Sequence, residues 1–165
     1  MMKASHITRM IPLLISVFVL VIALYFFATG KQSYILNNPL VGKPAPLETL
    51  QGLEPRSGAY MVNFFASWCP PCREEHALLV QESDLPIVGI AYKDTPEKID
   101  AFLEKDGDPY HAVILDAEGE IAIEWGVTGT PETFFVGADG IVKDHAPLVL
   151  TEKRLKKIKE KYFTP

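Results

Sequence analysis

The residues best suited to chemistry in this chain are its two cysteines, Cys69 and Cys72. They follow an apolar, β-prone run at 60–66 and precede a run of helix-forming residues at 73–81. Two thiols at this spacing on the first turn of a helix can close a disulfide, and the helix N-terminus stabilises a thiolate at the outer sulfur. The pattern therefore predicts Cys69 as the nucleophile and Cys72, deeper and less exposed, as the resolving thiol of a redox-active disulfide.

Two other uses of the cysteine pair stay open at this point. A purely structural disulfide would close a very short loop and add little stability. Zinc could be bound by Cys69, Cys72 and His76, but a closed structural site usually has a fourth ligand and the chain has no second cysteine pair. A c-type haem attachment motif would require a histidine directly after Cys72, where Arg73 stands.

Length, composition and charge limit the functional classes. The chain has 165 residues, 48% of them hydrophobic, and a net charge of −5. This mildly acidic balance argues against a nucleic-acid partner. Residues 31–165 suit one domain with a single core.

The segment 11–28 is apolar and carries no charge. At helical rise it extends about 27 Å, which just spans a bilayer core. Lys3 and Arg9 precede it, and Lys31 alone follows closely, so the positive-inside rule predicts a cytoplasmic N-terminus at 1–10 and an exported domain. We expect a single-pass membrane anchor, with the domain that carries the cysteines on the outer side of the membrane.

A cleaved signal peptide is the alternative reading of this segment. Its apolar region would normally be shorter, and bulky residues at 25–27 precede a poor cleavage site. In either case the cysteines would lie where oxidation drives them to a disulfide unless a reductant acts on them.

Beyond the anchor, residues 29–46 are broken by proline and glycine and are predicted to form a tether, which leaves 47–165 as the folded domain. Strand and helix patterns then alternate, which predicts an α/β fold with a mixed sheet and helices on both faces. The predicted strands are 47–53 (a short edge strand), 60–66, 86–92, 111–115, 133–136 and 140–145, the last two as a hairpin. The predicted helices are 73–81, 95–107, 121–125 and 151–162.

Two stretches resemble the signatures of thioredoxin-like oxidoreductases, Phe65-Ala-Ser-Trp-Cys-Pro-Pro-Cys-Arg73 and Gly126-Val-Thr-Gly-Thr-Pro-Glu-Thr-Phe134. With Tyr92-Lys-Asp94 and Asp108-Pro-Tyr110, they resemble more specifically the DsbE (CcmG) family of membrane-anchored thiol:disulfide interchange proteins of cytochrome c biogenesis. The resemblance covers about residues 40–163. It implies a thioredoxin-like three-layer sandwich, in which helices flank a central mixed β-sheet, plus one N-terminal transmembrane helix.

The resemblance also implies roles for residues around the cysteines. Thr130 and Pro131 match the family's cis-proline loop, whose backbone pairs with an extended substrate strand; an ordinary trans proline is the alternative. Glu75 and Glu132 match acidic residues that the family keeps near the active site. Glu75, three residues beyond Cys72, could accept the proton of that thiol. The alternatives are a solvated first-turn glutamate for Glu75 and a surface side chain for Glu132.

Three further residues are interpreted with less specific patterns. Trp68 is expected to flank the exposed sulfur as a substrate contact, with simple packing as the alternative. Asn63 stands where thioredoxin has a buried aspartate, which favours Glu75 as the proton relay and puts general disulfide reductase activity in doubt. His76 is expected to be a satisfied helix residue.

The function implied by the resemblance is reduction of disulfides in partner proteins. The expected substrate is the Cys-x-x-Cys-His disulfide of apocytochrome c, or of its haem-ligation chaperone, before haem attachment; a membrane thiol-electron transporter would supply electrons, and no cofactor is implied. The rival from another class is a membrane-anchored copper-binding chaperone for an oxidase copper site, using both cysteines with His76 or His145. A reductase for another exported partner, such as a copper-site protein, is a further alternative.

Overall fold

The computed structural model describes residues 11–12, 14–22, 38–55, 58–82 and 84–163. The chain divides into two compact units, Met1–Tyr34 and Ile35–Pro165.

In the first unit, the described residues are helical and their side chains are exposed. The predicted anchor at 11–28 also includes residue 13 and residues 23–28, which lie outside the described residues. Within the part of the chain that the structure describes, no helix has the length and apolar character needed to cross a membrane.

The second unit alternates strands and helices. Its elements are a 3-10 helix at Leu47–Leu50, β1 at Tyr60–Phe65, α1 at Pro70–Gln81, β2 at Ile87–Tyr92, α2 at Pro96–Asp106, β3 at Ala112–Asp116, α3 at Glu120–Glu124, β4 at Glu132–Val136, β5 at Val142–Ala146 and α4 at Glu152–Tyr162. All helices and strands predicted after residue 59 are confirmed, although several of their ends differ by a few residues from the predicted ones.

The strands form one mixed sheet in the order β3-β2-β1-β4-β5. The central β1 pairs in parallel with β2 and antiparallel with β4, and it is buried along its whole length. Burial on both faces accounts for its near-continuous apolar sequence. Since Phe64 at the end of β1 pairs with Glu132 at the start of β4, the cysteine loop after β1 and the proline loop before β4 meet at one edge of the sheet.

Helices cover both faces of the sheet, as predicted. Helices α1, α2 and α4 pack on the face that carries Met61 and Phe65. The opposite face, with Phe64 and Phe134, is covered by α3, Trp125 and the 3-10 helix. Alternate residues of β1 therefore enter two separate layers of the core.

Local sequence explains where α1 and α2 begin and where α2 ends. Cys69 is the N-cap of α1, and Pro70 takes the first helical position, where no backbone donor is needed. Pro96 occupies the same position in α2. Helix α2 ends at Gly107, whose φ of 95° lies in a region that glycine tolerates best.

The edge strand predicted at 47–53 is wrong, because Leu47–Leu50 forms a 3-10 helix. Leu50 is fully buried, and the Oγ1 atom of Thr49 accepts a hydrogen bond of 2.8 Å from the indole of Trp125. The two leucines are three residues apart, which suits a single helical turn. The turn thus joins the core layer of Trp125, which lies far away in the sequence.

Residues 38–46, for which the sequence predicts a tether, belong to this second unit and bond to its later segments. The side-chain amide of Asn38 is buried and donates to the carbonyl oxygens of Trp125 and Gly126 at 2.8 and 3.1 Å. Pro44 forms an isolated β-bridge with Ile141. The segment is irregular, as its proline and glycine content predicts. The buried amide, satisfied by two carbonyl oxygens, fixes its position.

Candidate active site

Cys69 and Cys72 form a disulfide at the N-terminus of α1. The two residues are only 2% and 4% exposed, so the expectation that Cys69 is the more exposed one is wrong. The reason is the neighbouring loop, because the carbonyl oxygen of Thr130 lies 3.5 Å from the Sγ atom of Cys69. The same sulfur accepts a hydrogen bond of 3.2 Å from the backbone N–H of Cys72. In the reduced protein this amide and the helix N-terminus favour a thiolate at Cys69.

The peptide bond between Thr130 and Pro131 is cis, which confirms the prediction for this loop. The loop lies against Cys69, and β4 begins at the next residue, Glu132. Pairing of β4 with β1 therefore positions the loop beside the disulfide.

The segment between β1 and Cys69 is held by the loop that follows β2. The backbone N–H of Ser67 donates to the buried carboxylate of Asp94 at 2.6 Å, and the indole N–H of Trp68 donates to the carbonyl of Lys93 at 3.1 Å. The side chain of Trp68 is nevertheless 54% exposed. It thus leaves an aromatic surface open directly before Cys69, and its predicted contact with substrate stays a prediction.

Glu75 is buried, with 1% of its surface exposed, which excludes the solvated alternative. Its Oε1 atom accepts hydrogen bonds from the side chains of Asn63 at 2.7 Å and Thr133 at 3.0 Å. Its Oε2 atom accepts one from the backbone N–H of Leu150 at 2.6 Å. Burial raises the pKa of Glu75, although these three hydrogen bonds oppose the effect. A carboxylate with a raised pKa, on the helix of Cys72, is a stronger base than an exposed glutamate.

The hydrogen-bond chain continues from Glu75 to Tyr110. The hydroxyl of Tyr110 donates to the Oδ1 atom of Asn63 at 2.9 Å, while the amide of Asn63 also donates to Thr133 at 2.9 Å. Burial, together with the charges of Glu75 and Asp108, raises the pKa of Tyr110 well above its usual value, so this hydroxyl keeps its proton. Because its Oδ1 atom accepts from Tyr110, Asn63 presents its amide N–H groups to Glu75 and Thr133. An ionised aspartate at this position would have no donor for Glu75.

Glu132 is also buried at 1% exposure, so it is not a surface side chain. Its Oε1 atom accepts hydrogen bonds from the N–H and hydroxyl of Thr128 at 2.7 and 2.8 Å and from the N–H of Gly129 at 3.1 Å. Its Oε2 atom lies 2.6 Å from the Nε2 atom of His145. Burial acts to raise the pKa of Glu132, but the hydrogen bonds from His145 and Thr128 outweigh it and hold the pKa below its usual value. Glu132 thus holds the backbone of the loop at 128–129 by hydrogen bonds. Its predicted contact with substrate stays a prediction.

The two histidines considered as metal ligands have other contacts. His76 is buried, its Nε2 atom lies 2.8 Å from the carbonyl oxygen of Gly107, and its ring packs on Phe102. This confirms His76 as a satisfied helix residue, and His145 is paired with Glu132. Among the residues that the structure describes, no group of three or more histidine, cysteine or acidic side chains is arranged to hold a metal ion.

Three residues of this arrangement are not predicted by the sequence as members of the site. Asp94, Tyr110 and Thr133 stand only within longer motifs. The available signals were the polar residue Asn63 within an apolar strand and the period-two alternation of β4, which places Thr133 and Glu132 on opposite faces.

Comparison with known proteins shows to which family the chain belongs. The redoxin family model matches residues 43–159. The thiol:disulfide interchange protein DsbE of Allochromatium vinosum is 36% identical over 155 residues, which cover 86% of this chain and 84% of the relative. The chain belongs to the DsbE family of thiol:disulfide interchange proteins. The DsbE of Escherichia coli K12 is 34% identical over 82% of both chains.

The fold of this DsbE-family chain is also found in solved structures. A secreted disulfide oxidoreductase of Mycobacterium tuberculosis superposes with a TM-score of 0.55 at 23% identity, covering 63% of this chain and 81% of that chain. The chain is therefore a thioredoxin-like α/β protein with a mixed central sheet flanked by helices. With its Cys-x-x-Cys pair, it is a thiol:disulfide oxidoreductase.

Proposed function

We propose that this DsbE-family chain reduces disulfides in exported partner proteins, and that its main substrate is the Cys-x-x-Cys-His disulfide of apocytochrome c or of the chaperone that carries it. The observation that supports this most is the contact of 3.5 Å between the Sγ atom of Cys69 and the carbonyl of Thr130. An extended strand that paired with the backbone of Thr130 would present its own sulfur beside Cys69. The choice of substrate is supported by the family resemblance of the surrounding motifs.

The proposed exchange transfers two electrons to the substrate. The thiolate of Cys69 attacks one sulfur of the substrate disulfide, and that bond breaks as a mixed disulfide forms. The released substrate thiolate takes up a proton. Cys72 then loses its proton and attacks the sulfur of Cys69, which releases the second substrate thiol and leaves the Cys69–Cys72 disulfide. A dithiol of a membrane electron transporter would reduce this disulfide again.

Glu75 is proposed to accept the proton that Cys72 loses in the second step. The two residues are three apart on α1, so they lie on the same side of the helix. Since burial raises the pKa of Glu75, its carboxylate is a stronger base than an exposed glutamate.

We further propose that the segment 11–28 anchors the chain in the inner membrane, with the N-terminus in the cytoplasm and the redox domain in the periplasm. An anchor would keep the domain at high local concentration beside other membrane-bound proteins. Intact mass measurement of the protein extracted from membranes tests this directly. The expected mass is that of a chain that includes residues 11–28. The mass of a chain that starts near Thr29 would show cleavage instead.

Trapping the substrate tests the proposed reaction. In Cys72→Ser, the mixed disulfide at Cys69 cannot be resolved, so the substrate should accumulate as a covalent complex that mass spectrometry can identify. Cys69→Ser is the matched control, because it lacks the attacking thiolate and should trap nothing. Capture of a cytochrome c assembly protein is the expected result, and consistent capture of unrelated exported proteins would contradict the proposed substrate.

A further inference from the structure

His145 on β5 is buried, and one of its ring nitrogens makes no hydrogen bond with the described residues. The residue is 4% exposed, and among residues 11–12, 14–22, 38–55, 58–82 and 84–163 its Nδ1 atom has no hydrogen-bond partner. A buried polar atom without a partner destabilises the fold, and an apolar ring would avoid this cost. Since the ring stacks on Phe134 at a centroid distance of 4.4 Å, phenylalanine would satisfy the packing equally well. The use of histidine at this position therefore requires another explanation.

The other ring nitrogen provides that explanation. The Nε2 atom of His145 lies 2.6 Å from the Oε2 atom of Glu132. Because an ionised carboxylate can only accept, the Nε2–H group of His145 is the donor in this hydrogen bond. The contact fixes one oxygen of Glu132 and leaves Oε1 directed at the backbone N–H groups of Thr128 and Gly129.

The strand geometry makes this contact independent of the cysteines. His145 pairs with Phe134 in the β4–β5 ladder, and Glu132 is two residues before Phe134, so the three side chains lie on one face. Cys69 and Cys72 belong to the core layer of the opposite face. A continuous set of hydrogen bonds leads from His145 through Glu132 to Thr128 and Gly129, in the loop that contains Thr130.

We propose that His145 is a positioning residue for substrate binding, which acts by orienting Glu132 so that the carboxylate holds the 128–130 backbone in the conformation that pairs with an extended substrate strand. The inference rests on the proposed role of this loop in docking the substrate. It assigns to His145 no contact with the substrate and no part in electron transfer. Its effect should therefore appear in recognition of a peptide and not in the reactivity of the sulfurs.

The test follows single turnovers of the full chain, which is first reduced with an excess of a dithiol that is then removed, against two disulfides. One is a synthetic peptide with a Cys-x-x-Cys-His disulfide, and the other is bis(2-hydroxyethyl) disulfide, which has no backbone strand to pair with the loop. In His145→Phe the ring stacking is kept but the donor is lost, and the KM for the peptide, the concentration that gives half the maximal rate, should rise about tenfold, as expected for one buried hydrogen bond to a charged group. The maximal rate with the peptide should change much less, so the preference for the peptide over bis(2-hydroxyethyl) disulfide falls.

Two further variants separate positioning from general destabilisation. His145→Gln keeps an N–H donor that can reach Glu132 and should return the KM toward the wild-type value. His76→Phe is the matched control, because His76 is equally buried and bonds the carbonyl of Gly107 instead of the loop. Its expected effect is a lower melting temperature with the peptide KM unchanged.

Different outcomes would contradict the role of His145 and the docking role of the loop. An equal rise in KM for His145→Phe and His76→Phe, or no recovery in His145→Gln, would overturn the positioning role while the peptide preference of the wild type still stood. Absence of any peptide preference in the wild type would overturn the docking function of the loop and the role of His145 with it.

Discussion

Two buried carboxylates on opposite faces of the sheet, Glu75 and Glu132, differ in what surrounds them. Each is 1% exposed. Glu75 accepts hydrogen bonds from neutral donors, and burial raises its pKa. Glu132 is paired with His145 as well as with donors of its own loop, and these contacts lower its pKa despite burial. The comparison shows that the partners of such a group, together with its desolvation, decide whether it is suited to move a proton or to hold a fixed charge.

The largest expected effect is on stability and concerns Glu132. In Glu132→Ala, the N–H groups of Thr128 and Gly129 and the Nε2–H of His145 lose their acceptor inside the protein. We expect a loss of about 3–5 kcal/mol in the free energy of unfolding, as for removal of one partner of a buried pair. Urea denaturation measures it. Glu124→Ala, at an exposed glutamate of α3, is the control and should change stability by well under about 1 kcal/mol; similar losses in both variants would contradict the assignment.

A kinetic effect of intermediate size is expected at Glu75. In Glu75→Gln the proton acceptor for Cys72 is lost, so resolution of the mixed disulfide at pH 7 should slow by about a hundredfold. The rate should recover as the pH rises, because Cys72 then loses its proton to solvent. Stopped-flow exchange over a range of pH measures this. The exposed neighbour Glu74 supplies the control variant Glu74→Gln, and an identical pH profile in both variants would remove Glu75 from the mechanism.

The smallest expected effect is on the pH dependence of stability, where the two carboxylates should act with opposite sign. A raised pKa in the folded state means that the stabilisation from Glu75 is present below the unfolded-state pKa of about 4.3 and is lost as the pH rises through the folded-state pKa. The lowered pKa of Glu132 means that its stabilisation is present above about 4.3 and is lost as the pH falls through the folded-state pKa.

Unfolding free energies measured from pH 3 upward test this contrast. Relative to Glu75→Gln, the wild type should lose stability as the pH rises, whereas relative to Glu132→Gln it should lose stability as the pH falls. Slopes of the same sign for both comparisons would show that the two sites do not differ in the way that their partners imply.

Much of the reactive centre was readable in the sequence because its chemistry is local. Cys69 and Cys72 are three residues apart, and the cis bond before Pro131 belongs to a short motif. Apolar periodicity located the strands and helices after residue 59 for the same reason. The 3-10 helix at Leu47–Leu50 was missed because its conformation depends on Trp125, which lies 76 residues from Thr49.

The burial of the two acidic residues could not be predicted from the sequence. Glu75 and Glu132 were identified as candidates from the motifs around them, but the sequence alone left open whether either was exposed. Glu75 bonds to Leu150, 75 residues away, and Glu132, although held by its own loop, is also paired with His145 on the next strand.

By itself, the sequence of this DsbE-family chain determined the dithiol pair, its place at the start of a helix and the order of strands and helices. Only the tertiary structure decided that Cys69 is covered by the Thr130 loop and that the two carboxylates have opposite charge preferences. The physical reason is that exposure and pKa depend on desolvation and on partners from other elements, which the pairing of β1 with β4 brings together.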